Sequence, residues 1–298
     1  MHPIALDTEY APMVVDMRLR PPLPSLNSSI LFQPGGVAQT DHPDYPRPES
    51  VRQVSLPLLL REMDEAGLQY GVLMGRQSPP PFGIIDNDEI LALLDAHPGR
   101  FLAWMGLDLR QSPEEWLAQM DTYLAHPGFR GVCIEPTISL DPRITLATDP
   151  RLHPIYEACR QRDVPVGLTL SGVLQHATGR PYELSRPAQI YELATAFPEL
   201  DIHVAHAAYP WVMEMVGVAF HCRNVWLSPD LYMSPEIPGS TEYFKLANNY
   251  LPDRSLFGSN SPSKPLPQMI AAYRSWPWRP GVVDRVLSEN ALRLMRLK

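Results

Sequence analysis

The side chains of this sequence with the most chemistry to offer stand at the ends of short apolar runs. Arg18 and Arg20 close MVVDMRLR (13–20), Arg76 closes YGVLMGR (70–76), and Glu135 falls in RGVCIEP (130–136). Further along, Thr169 lies in VPVGLTL (164–170), His206 in DIHVAHA (201–207), Asp230 in VWLSPD (225–230), and Ser259 and Asn260 in LFGSNSP (256–262). An imidazole takes up and releases a proton near neutral pH, so His206 is the first choice for activating water, with Glu135 and Asp230 as the other two bases. A guanidinium presents a rigid fork of donors that matches a carboxylate or a developing oxyanion. Arg18 and Arg20 are two residues apart, and alternation along a strand points them to one side; with Arg76 they can clamp an anion. Plainer readings compete. Arginines paired with buried acids also serve structure alone. Asp108 in GLDLRQSPEE reads as a turn residue, and Asp16 as a structural acid.

The elements that must carry these residues alternate. Eight apolar runs, those above with FLAWMGLDL (101–109), are separated by helical patterns that have recognisable starts and stops. In QSPEEWLAQMDTYLAHPG, Ser112 is placed to cap, Pro113 takes the first helical position and Glu115 closes a capping box, before His126-Pro127-Gly128 ends the helix. Asp86 and Glu89 frame a second start. Continuously apolar strands joined through helices imply parallel pairing through right-handed crossovers. Eight such units in 298 residues predict a single α/β domain over 1–298, a distorted (β/α)8 TIM barrel, whose chemistry sits at the strands' C-terminal ends. No G-x-G-x-x-G follows an early strand, which argues against a doubly wound sheet. The proline-rich stretch 21–50 is too long for an ordinary connection and is expected to form a lid or a contact surface.

Composition narrows the partners. With 25 Lys+Arg against 33 Asp+Glu, the formal charge of −8 gives no footprint for nucleic acid or an acidic membrane. There is no signal-peptide pattern and no run of about 20 apolar residues. The three cysteines are scattered, which fits a reducing cytoplasm. The expected partner is a small molecule.

The stretch RPAQIYELATAFPELDIHVAHAAYPWVMEMVGVAFHCRNVWLSPDLY (186–232), with LFGSNSP (256–262) and VLSENALRLM (286–295), resembles the amidohydrolase-2 group of the metal-dependent hydrolase superfamily. VDMRLRPP at the front and DPRLHPIYEACRQRDVPVGL in the middle extend the likeness over essentially the whole chain. The resemblance implies a barrel enzyme of the kind that includes lactonases and decarboxylases of aromatic-acid catabolism, and homo-oligomerisation, for which the 21–50 stretch is the expected contact. It also implies four metal-ligand stations, and three have lost a ligand. The family's first strand usually ends in His-x-His, where Arg18 and Arg20 stand; its fifth supplies a histidine, here Thr169; its last supplies an aspartate in Gly-Ser-Asp, here Asn260. The sixth-strand histidine persists as His206.

A guanidinium has no lone pair to offer a cation, so no metal ligands are assigned and no cofactor is expected, with Zn²⁺ or Mn²⁺ kept as the alternative. The resulting expectation is a metal-independent hydrolase acting on a lactone, ester or amide of a small carboxylated compound, for example an aromatic ring-cleavage product. His206, Glu135 or Asp230 would activate water, and Arg18, Arg20 and Arg76 would hold the anion. Thr169, Ser259 and Asn260 would contact substrate, and Tyr209 would gate or orient it. A decarboxylase or other carbon-carbon lyase is the second reading, and a non-catalytic partner subunit or ligand-binding barrel the third.

Overall fold

The computed structural model describes residues 13–33 and 46–297. Seven strands, β1 (Val14–Asp16), β2 (Leu68–Met74), β3 (Phe101–Gly106), β4 (Phe129–Ile134), β5 (Val166–Ser171), β6 (Ile202–Tyr209) and β7 (Val225–Ser228), pair in sequence order. Every neighbouring pair is parallel. The helices α1 (Leu56–Glu65), α2 (Asn87–Ala96), α3 (Pro113–Tyr123), α4 (His153–Gln161), α5 (Gly172–Ala177), α6 (Ala188–Ala196), α7 (Val212–His221), α8 (Ser240–Asn249) and α9 (Leu266–Arg274) follow the strands around the outside. No helix among the described residues is long and apolar enough to cross a membrane.

The expected eighth strand exists only as bridges. Leu227 pairs with Ser255 and Leu19 with Ser261, both parallel, and Met17 N donates to Phe257 O at 3.0 Å, so residues 255–261 close the barrel between β7 and β1. A regular ladder fails there because Asn260 is left-handed at φ 58° and because the segment is held by a side chain. Asp16 accepts from Ser259 N at 2.8 Å and from Ser259 Oγ at 2.5 Å. The same carboxylate accepts from Arg18 N at 2.9 Å, so β1 stops at Asp16, four residues earlier than its apolar run. Burial raises the Asp16 carboxyl to about 6, against the lowering effect of these hydrogen bonds.

Large side chains fill the barrel where small ones leave room. A Cβ on Gly131 would lie 2.5 Å from the Trp104 ring, and one on Gly167 would lie 2.4 Å from Met74 Cε. Trp104 is fully buried and packs edge-on against His203 at 5.4 Å between centroids. Outside the barrel, α3 begins with the expected box: Ser112 Oγ accepts from Glu115 N, and Glu115 Oε2 from Ser112 N. Such a box stabilises by ~1 kcal/mol. At α2, Asp86 caps Asp88 N, but Glu89 does not serve the helix start. Both of its oxygens accept from Ser25, which ties the chain after β1 to the barrel.

Candidate active site

The strand ends converge on a cavity lined by Arg18, Arg20, Arg76, His206, Asn260 and Tyr232 on its polar side. Its apolar walls come from Ile30, Leu31, Phe82, Leu174 and Leu231. Of the proline-rich stretch, Ile30 and Leu31 therefore line the cavity, and the stretch is held where Ile30 N donates to Pro81 O at 2.8 Å and Arg47 Nη1 to Gln33 O at 2.7 Å. Residues 34–45 of that stretch lie outside the described residues.

Arg18 is wholly enclosed. Its Nη1 donates to Thr169 Oγ1 at 3.1 Å, its Nη2 lies 3.3 Å from His206 Nε2, and its Nε lies 4.0 Å from Asp230 Oδ2. A guanidinium only donates, so Nε2 is the acceptor and the proton of the neutral ring sits on Nδ1. That nitrogen lies 3.0 Å from Asp230 Oδ2, off the line of an aligned hydrogen bond. Burial first, and then the charge of Arg18, push the imidazole down to about 4, so His206 is neutral at physiological pH. For Asp230, burial alone would raise the carboxyl, but His206 and Arg18 bring it below its ordinary value.

The backbone is bent to make this arrangement. His206, Ala207 and Ala208 are left-handed in succession at φ 64°, 44° and 57°, and Asp230 at φ 56°. Each such residue costs ~1–2 kcal/mol without glycine, strain that survives where surrounding contacts over-determine it. Here His206 N donates to Asp230 Oδ2 at 3.1 Å, and Tyr243 and Tyr273 donate to Ala207 O and Asp230 O at 2.8 and 3.1 Å. A Cβ at Gly258 would lie 2.0 Å from Asp230 Oδ1, so only glycine lets the closing segment pass.

Glu135 does not stand free as a base. Its two oxygens accept from Arg76 Nε and Nη2 at 3.0 Å each, and Ser78 Oγ donates a further short bond. Burial would raise this carboxyl, but Arg76 and Arg18 hold it down at about 2, where it has little affinity for a proton. Its role is to lock Arg76, whose guanidinium also lies 4.9 Å from the Phe82 ring centre.

Arg20 differs from the other two arginines. It is 4% exposed, its Nε and Nη2 have no hydrogen-bond partner, and among the described residues no carboxylate pairs with it. Burial, then Arg18 and Arg76, lower its pKa well below the ordinary value.

Other expected site residues lie near the cavity without facing it. The Ser259 hydroxyl is spent on Asp16, which removes it from substrate contact. The Thr169 hydroxyl accepts from Arg18 and positions it. Tyr209 backs the cavity wall, stacked 4.0 Å from Tyr232 with 7° between planes, while the Tyr232 hydroxyl bonds Ser171 Oγ at 3.2 Å. Asp108 pairs with Arg110 away from the cavity, as a turn residue does. The sequence reading missed Tyr232, Phe82 and Ser78. Only Tyr232 had a local signal, two residues beyond Asp230 on the same strand end.

The positions at which the resemblance implies metal ligands hold two guanidiniums, a hydroxyl, an amide and one imidazole already engaged by Arg18. Among the described residues no group of three or more His, Cys, Asp or Glu could hold a metal ion. The donor set does not fit a divalent cation.

A family model described as amidohydrolase matches residues 56–297. An uncharacterized TIM-barrel protein from Bordetella bronchiseptica is 30% identical, covering 95% of this chain and 98% of that chain with a TM-score of 0.85. A 5-carboxyvanillate decarboxylase from Sphingomonas paucimobilis is 15% identical, covering 96% of this chain and 99% of that chain (TM-score 0.68). A dihydroxybenzoic acid decarboxylase from a Polaromonas species, with bound manganese and the inhibitor 2-nitroresorcinol, is also 15% identical, over 95% and 96% of the two chains (TM-score 0.68). The two decarboxylases are alike in fold alone. No curated protein matches the chain.

Proposed function

The chain belongs to the amidohydrolase family, and from that premise we propose that it hydrolyses a lactone, ester or amide bond in a small carboxylated compound, with guanidinium groups in the electrophilic role a metal would otherwise fill. The observation that carries this reading is the buried guanidinium of Arg20, which pairs with no carboxylate among the described residues, in the same cavity as a neutral His206. A buried charge without a partner is costly. An incoming carboxylate satisfies it.

The reaction follows from the tautomer of His206. A carboxylate on Arg20 anchors the substrate with its acyl carbon near His206. Nε2 must give up its contact with Arg18, and the developing negative charge on the acyl oxygen draws the Arg18 Nη2 donor to itself. Water then attacks the acyl carbon as its proton passes to Nε2, and Asp230 beside Nδ1 steadies the imidazolium. Collapse of the tetrahedral intermediate breaks the bond to the leaving oxygen or nitrogen, which takes the proton back from Nε2. One water is consumed, and His206 and both arginines are regenerated. Because the donor set does not fit a divalent cation, no step runs through one.

Decarboxylation is the second reading, favoured by the relatives of known activity, which are decarboxylases of hydroxylated benzoates. A guanidinium bound to the departing carboxylate stabilises its ionised ground state and opposes loss of CO₂, which weighs toward hydrolysis. Turnover of a panel of carboxylated lactones and hydroxybenzoates in H₂¹⁸O, with and without a chelator, separates the two. Label in a new carboxylate at a rate indifferent to chelator is the expected result. Release of CO₂ without label would transfer the chain to the decarboxylases. Binding of the panel without turnover would make it a ligand-binding barrel.

A further inference from the structure

The cavity has a polar pole and an apolar wall, built by different parts of the chain. At the pole, Arg20 N donates to Ser261 O at 3.2 Å, which brings the end of β1 beside the closing segment and sets Arg20 with Asn260 and Ser263. The wall is made by Ile30, Phe82, Leu174 and Leu231. Phe82 and Leu174 pack as one cluster with Ile138, and Ile30 lies against it. The backbone of the wall is spent as well: Ile30 N donates to Pro81 O at 2.8 Å, and Leu174 O accepts from Thr178 N at 3.1 Å. A hydrocarbon face laid on this wall gives up only its water, whereas a hydroxyl placed there leaves water without gaining a side-chain partner.

The charges around the cavity set how many carboxylates it takes. Glu135 meets Arg76 through two bonds of 3.0 Å, and Asp230 stands 4.0 Å from Arg18 Nε. Asp16, a further acid of this layer, is turned to Ser259 and to the Arg18 amide. Of the three guanidiniums, Arg20 is the one that pairs with no carboxylate among the described residues. One incoming carboxylate completes the set. A second would enter an enclosed site with every guanidinium already matched, and a buried charge without a counter-charge is strongly disfavoured.

We infer that the substrate is a monocarboxylate whose body, apart from the bond to be cleaved, is plain hydrocarbon, and that the wall of Ile30, Phe82, Leu174 and Leu231 selects against hydroxyl and second carboxyl groups. This assignment rests on Arg20 as the carboxylate anchor, as in the hydrolysis proposed above. Isothermal titration calorimetry of the full chain with benzoate, benzamide, acetate, isophthalate and 3,5-dihydroxybenzoate tests it. Benzoate is expected to bind most tightly. Benzamide, which lacks the charge, and isophthalate, which carries one too many, should each bind at least roughly 30-fold more weakly. Acetate, which lacks the body, should lose at least about tenfold. The hydroxyls of 3,5-dihydroxybenzoate stand away from its carboxylate, and each one buried on the wall should weaken binding by roughly 5- to 140-fold. Leu174→Ser places a hydroxyl in the wall and should narrow the gap between benzoate and 3,5-dihydroxybenzoate. If acetate, isophthalate or 3,5-dihydroxybenzoate binds as tightly as benzoate while benzamide stays weak, the inference is overturned and Arg20 remains the anchor. Benzamide binding as tightly as benzoate, or no binding of any of the acids, removes the anchor and overturns both readings.

Discussion

Replacing Arg20 with methionine should move stability and binding in opposite directions. In the free protein its buried Nε and Nη2 donors have no partner among the described residues, and a buried donor without a partner costs ~1–3 kcal/mol, more when charged. Exchange of a buried charge for an apolar side chain of similar reach is commonly stabilising by ~1–4 kcal/mol. Arg20→Met is therefore expected to raise the free energy of unfolding by about that amount, or ~2 °C in melting temperature per kcal/mol for a chain of this size. In the complex the balance reverses. Removing one partner of a desolvated, hydrogen-bonded ion pair costs ~2–5 kcal/mol, so affinity for benzoate, an unreactive carboxylate probe, should fall by roughly 30- to 4,000-fold at ~1.4 kcal/mol per decade. Urea denaturation gives the first number and isothermal titration calorimetry the second. A variant that is destabilised and binds benzoate as wild type does would mean that Arg20 is a structural residue, and the anion site would have to be abandoned.

Two further predictions rest on the pairs around it. In the proposed reaction the base is His206, lowered to about 4 by burial and by Arg18 and competent only when unprotonated, so kcat/KM should rise with pH through an apparent pKa near 4 and stay level through neutrality; a midpoint near the ordinary 6.5 would contradict the enclosed dyad. Glu135 is held at about 2 from an ordinary 4.5, so its contribution to stability is present above pH 4.5 and is lost as pH falls toward 2. The shift corresponds to on the order of 3 kcal/mol, and Glu135→Gln should lose that much at pH 7, with the gap from wild type closing in acid; equal urea midpoints at pH 7 would refute the pairing with Arg76.

The barrel was legible because its signals are local. Apolar runs of strand length alternating with capped helices reflect burial on both sheet faces and the geometry of a helix turn, and these act within a dozen residues. Ser112 and Glu115 form their box as spaced, for the same reason. The presence of Arg18, Arg20, Arg76, His206 and Asn260 around one cavity also followed, since strand ends of a barrel meet at one face. Glu135 was legible as a strand-end acid but not as the partner of Arg76, 59 positions away, and that pairing converts a candidate base into a clamp.

Sequence alone determined the fold and the cationic residue types at the strand ends, because each depends on residue type and local spacing. Only the tertiary structure decided which charges are spent. It gave Glu135 to Arg76, Ser259 to Asp16 across 243 positions, and Asp230 to His206, and among the described residues it left Arg20 with no carboxylate. Barrel closure selects those partners from residues far apart in the chain, and in a buried site the strength of a charge is set by its nearest neighbours.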